Sequence, residues 1–131
     1  MSDPNAAESL ARLVQWLRER HDRIMAVEAE ALRLLKAGDT PGHNAGMRKK
    51  AEMLAALHTD AAPLLAGLPG ETRFRLALAL ERFSDSARTA LKLNSVFYMS
   101  ALLYPDTHKQ GEPDNLTLCI DRMEQQGENF S

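Results

Sequence analysis

Apolar residues recur every seven positions along two long stretches of the chain. In the first, Leu10, Leu17, Ile24 and Ala31 mark one seam position, and Leu13, Val27 and Leu34 mark the intervening one. In the second, Leu80, Ala87, Asn94 and Ala101 recur in the same way, with Phe83, Ala90, Phe97 and Tyr104 between them. A sevenfold stripe is the signature of a helix that lies along another helix. The two stretches therefore predict two long rods lying side by side as an antiparallel hairpin.

Punctuation residues place the ends. Asp3-Pro4 and the pair Asn5 and Glu8 both suit a helix start, and Gly38 suits a left-handed stop near Ala37, giving a first rod of about 50 Å. The segment Gly38 to Gly46, with three glycines and Pro41, reads as a loop. A second helix carries Met47, Ala51, Leu54 and Ala61 on one face, and Pro63 predicts a kink within it. After Leu68-Pro69-Gly70, a third helix is expected over residues 71–104, stopped by Pro105. Asp114 then caps a short amphipathic helix with Leu116, Cys119, Ile120 and Met123 on its apolar face. The fold class expected is all-α, a long antiparallel hairpin or bundle of three main helices plus a short C-terminal helix. It forms a single helical domain over 1–131, with a core at about 5–104 and an appendage at 105–131.

Composition narrows the partners. With 131 residues, one core is sufficient without disulfide or metal staples. A formal charge of −2 gives no pull toward nucleic acid or an anionic membrane, and neither is expected as a partner. The single cysteine and the lack of a signal-like N-terminus lead to the expectation of a cytoplasmic protein.

Candidate chemistry is sparse. The four histidines, His21, His43, His58 and His108, include no pair at three- or four-residue spacing, so no metal site is predicted; His21 and His58 are read as packing residues flanking the seams. Cys119 reads as a buried thiol, and Ser84-Asp85-Ser86 has no histidine beside it and reads as a solvent-facing stretch. Arg48-Lys49-Lys50 reads as a solvated helix face. No catalytic residue and no cofactor are expected.

Asn94 is the most informative single position. It occupies a heptad core site, where an amide is costly to bury unless its donors and acceptors are met, so it either fixes register or marks an opening toward a partner. Around it, Phe97, Tyr98, Met99, Leu102, Leu103 and Tyr104 crowd apolar groups on all sides of the helix, which must then be covered by the C-terminal helix or by another chain. The candidate partner-binding set is Asn94, Phe97, Tyr98, Leu102, Tyr104, Leu116, Ile120 and Met123.

The long first helix ending in Gly38-Asp39, a second helix entered through Lys49 and Lys50 and carrying Leu54 and Leu57, and a long third helix with a central Asn94 together resemble the FlgN-like family of flagellar export chaperones. The resemblance covers residues 8–104 and rests on a degenerate pattern of Leu, Glu and Lys. It implies a non-enzymatic protein that holds the amphipathic helical ends of hook-associated subunits in a groove before their secretion. The alternative is a structural or regulatory homo-oligomer in which the protein partners only itself.

Overall fold

The computed structural model describes residues 4–128 and contains, among them, six helices and no strand: α1 (Pro4–Lys36), α2 (Thr40–Ala55), α3 (Leu57–Leu65), α4 (Gly70–Lys92), α5 (Val96–Ala101) and α6 (Asn115–Glu128). The all-α bundle expected from the sequence is what forms. The proposed start at Asp3 lies outside the described residues.

Helix α1 follows its heptad stripe: Leu10, Leu13, Leu17, Ile24 and Ala31 are all buried, each large aliphatic side chain contributing about 1.5–3 kcal/mol. It ends as Gly38 predicts. Gly38 takes φ +87°, and its N–H and that of Asp39 bond back to the carbonyls of Leu35 and Leu34, the six-to-one and five-to-two pair of a Schellman motif.

The expected loop over 38–46 is instead the start of α2. Asp39 caps it through the N–H of Gly42 at 2.8 Å, and Pro41 sits in the first turn, where its missing donor costs nothing. Gly46 is there for close approach: a Cβ at this position would lie 2.7 Å from Cβ of Ala31. The glycines thus bring α1 and α2 together rather than separating them.

The partner of α1 in the hairpin is consequently α2, not the third rod. Helix α4 packs on α2 and α3, which lie between it and α1, although Leu76, Leu80 and Ala87 of α4 join the same core as the α1 leucines. The heptad pattern recorded that each helix buries a stripe, but a stripe does not name its partner.

Two breaks fall where the sequence reading did not put them. The second helix breaks at Ala56, seven residues before Pro63, which lies inside α3. Here Ser84 of α4, fully buried, donates to the carbonyl of Leu54 at 2.9 Å and accepts from the N–H of His58 at 3.1 Å. Arg20 adds a bond to the carbonyl of Met53 and an ion pair with Asp60. The freed backbone groups are therefore answered from neighbouring helices. Ser84, expected to face solvent, is an interior hydrogen-bonding residue.

The third helix stops at Lys92, twelve residues short of its expected end. Asn94 takes φ +50°, and the N–H groups of Asn94 and Ser95 bond to the carbonyls of Leu91 and Ala90. This is a second Schellman motif, with Asn in the role that glycine plays at residue 38. Asn94 is exposed at a helix end, which removes the expected buried amide at the seam. Ser95 then caps α5 through the N–H of Tyr98.

Helix α6 is an integral part of the core and not an appendage. It runs antiparallel to the first half of α1 and inserts Leu116, Ile120 and Met123 among Leu10, Leu13 and Leu17. Arg18 pairs with Asp121 and Glu124 on the outside of that contact.

Candidate protein-binding surface

A buried polar cluster fixes the corner where α5 and α6 meet α1 and α2. Lys50 of α2, with 0% of its surface exposed, donates to Glu28 at 2.9 Å and to the carbonyl of Ser100 at 3.0 Å, and its ammonium lies 5.0 Å from the ring centre of Tyr104. The other oxygen of Glu28 accepts the Tyr104 hydroxyl. Burial pushes the Lys50 ammonium down, opposed by Glu28, while burial and the same carboxylate push the Tyr104 phenol up. Beside it, Asp114 caps α6 through the N–H of Leu116 at 3.0 Å and accepts from His21 at 2.8 Å and from the Thr117 hydroxyl at 2.7 Å. Burial alone would raise the Asp114 carboxyl, but the bonds from His21 and Thr117 outweigh it and hold it at about 2. The same bond raises His21 above its usual value. The arrangement of these groups locks α5 and α6 onto the α1–α2 pair.

That lock leaves a trough on the other side. Helices α4 and α6 meet the same core but share little direct backbone contact. One cavity of about 360 Å³ lies between them, floored by Leu54 and Leu103 and walled by Phe83 of α4 and Leu118 and Cys119 of α6. A second, of about 520 Å³, continues between α4 and α5 over Ala90, Leu93, Tyr98 and Ala101. Ser86 and Leu102 line both, so the two adjoin along α4. Beside the second, Phe97 is 74% exposed, Leu93 60% and Tyr98 53%, with the Phe97 and Tyr98 rings edge to face at 5.6 Å.

The candidate residues divide accordingly. Asn94, Phe97, Tyr98 and Leu102 come together at the surface around α5. Tyr104 does not: its hydroxyl turns inward to Glu28. Leu116, Ile120 and Met123 also do not, because they are closed in the core against α1 and offer nothing to a partner. Helix α6 covers α1 and leaves Phe97 and Tyr98 open.

Sequence reasoning missed Lys50 and Glu28. Both stood at seam positions, Lys50 three residues after Met47 and four before Leu54, Glu28 four after Ile24 and three before Ala31, and that spacing was the available signal. Lys50 belongs to the run Arg48-Lys49-Lys50, which reads from sequence as a solvated helix face, and the structure instead buries it completely.

Burial pushes the Cys119 thiol up, away from the reactive thiolate. Among the described residues no three His, Cys, Asp or Glu side chains converge as metal ligands, and no helix is long and apolar enough to cross a membrane. Comparison with known protein families, with curated proteins and with solved structures yields no match to this chain.

Proposed function

We propose that this chain is a non-enzymatic binding protein that holds an amphipathic helix of another protein in the α4 trough, in the manner of a cytoplasmic export chaperone. The observation that carries this reading is the pair of adjoining cavities along α4, flanked by the exposed Leu93, Phe97 and Tyr98. An apolar groove of helical length is the receiving half of helix-in-groove recognition, and aromatic groups concentrated at one end are the usual anchors of such a contact. The resemblance to the FlgN-like family supplies a client class: the helical ends of flagellar hook-associated subunits.

A photo-crosslinking residue in place of Leu102, carried by the full chain in its native cytoplasm, tests this. Capture of a helical secreted subunit, abolished by Phe97→Ser with Tyr98→Ser, is the expected result. Crosslinks formed only between copies of the chain would replace this reading with the homo-oligomeric one, because a twofold contact would bury the same patch.

A further inference from the structure

The trough is charged at one end only, and that asymmetry specifies its occupant. Along α4 the lining residues Ala79, Phe83, Ser86, Ala90 and Leu93 follow spacings of four, three, four and three. This row lies beside the stripe of Leu76, Leu80 and Ala87, with Phe83 packed against that core and Ala90 itself buried. It runs about 21 Å, or four turns of helix. Close to its start, Arg82 stands on the α4 wall and Arg122 on the α6 wall.

Both guanidiniums are exposed, and neither has an ion pair or hydrogen bond among the described residues. Of the other nine arginines, six (Arg12, Arg18, Arg20, Arg33, Arg48 and Arg88) have side-chain partners and three (Arg23, Arg73 and Arg75) have none among the described residues, so Arg82 and Arg122 are set apart by lining one cavity together. No Asp or Glu lines either part of the channel; Glu81 adjoins Arg82 in sequence without pairing with it, and Asp85 and Asp121 are engaged with Arg88 and Arg18. Two exposed cations thus line the first cavity, one from α4 and one from α6, beside Ser86 and Asn115, while Ala90, Leu93, Tyr98 and Ala101 line the second without a charge. A polyanion such as nucleic acid would meet only these two charges before an apolar surface, on a chain of net charge −2.

Building on the proposed function, we propose that the trough selects an acidic amphipathic helix of about four turns. Carboxylates in one terminal turn pair with Arg82 and Arg122, while the apolar stripe lies along Phe83, Leu102 and Leu118 and ends against Leu93 and Tyr98. Forked guanidinium–carboxylate pairs fix the register and direction of the helix, and the apolar channel supplies most of the affinity.

Three labelled helical peptides test this on the full-length chain by fluorescence anisotropy. They share one apolar stripe and differ only in carrying Glu, Gln or Lys at two positions of a terminal turn. The Glu peptide is expected to bind tightest, to weaken as salt rises, and to lose about tenfold or more on the double variant Arg82→Glu with Arg122→Glu, which should prefer the Lys peptide instead. Unchanged thermal melting of that variant, whose altered residues are exposed, shows that the loss is not one of folding. Equal binding of all three peptides would overturn charge selection while leaving helix binding intact. Failure of every peptide would overturn both, as would light scattering that shows the trough filled by a second copy of the chain.

Discussion

Replacing Lys50 by Met removes the most deeply buried charge in the protein and leaves Glu28 behind. In the native fold one Glu28 oxygen is paired with the Lys50 ammonium at 2.9 Å and the other with the Tyr104 hydroxyl, and Glu28 is only 8% exposed. Methionine fills much of the space but offers no donor to Glu28 or to the carbonyl of Ser100. An ionised group stranded in this way costs about 3–5 kcal/mol. Against a total stability of roughly 5–15 kcal/mol for a domain of this kind, the melting temperature should fall by about 10–20 °C. The double variant Lys50→Met with Glu28→Gln should recover most of the loss, because the Gln carbonyl still accepts from Tyr104 and no charge remains buried. Urea unfolding followed by circular dichroism measures both. A single variant within about 1 kcal/mol of the parent, or a double variant no better than the single, would refute the argument that an orphaned charge sets the magnitude.

Asn94→Gly should leave stability unchanged or raise it by up to about 1 kcal/mol, and Asn94→Leu should lower it by about 1–2 kcal/mol, because the backbone there is left-handed; chemical denaturation of both variants would show the reverse order if Asn94 were a core residue. Gly46→Ala should destabilise by about 1–3 kcal/mol, although alanine is the better helix former by about 1 kcal/mol, since the added methyl meets Ala31 and forces α1 and α2 apart; a stabilised variant in thermal melts would contradict that close approach. The His21–Asp114 pair should make stability depend on pH in a defined direction. His21 is raised above 6.5, so its contribution is complete below that pH and is lost as pH rises through the raised value. Asp114, lowered from 3.8 to about 2, contributes above 3.8 and loses its contribution as pH falls toward 2. Melting temperature should therefore decline on going from about pH 6 to pH 8.5, less steeply in His21→Asn, and parallel curves for the two proteins would dismiss the coupling.

The residues that could be read from sequence were those whose signal is local. Leu10, Leu17 and Ile24 announce their burial by spacing, Gly38 its left-handed stop, and Asp114 its cap, because each acts within a turn or two of its own position. The candidate surface was half legible. Phe97, Tyr98 and Leu102 stood out as excess apolar groups, whereas Arg82 and Arg122 did not, since their shared trough exists only where α4 and α6 diverge.

By itself, the sequence determined that this chain is helical, which faces its longest helix buries, and where that helix ends, all through propensities and periodicities that act over at most a few turns. Only the tertiary structure decided that α1 takes α2 as its neighbour, because that depends on Gly46 fitting against Ala31 across the pair. It also decided that Asn94 ends a helix. The sevenfold pattern passes through that residue unbroken, and beyond the stop the chain turns back to place Ser100 and Tyr104 on Lys50. Leu116, Ile120 and Met123 were drawn inward for the same reason: an apolar stripe records a demand for cover, and the three-dimensional arrangement of the other stripes determines what meets it.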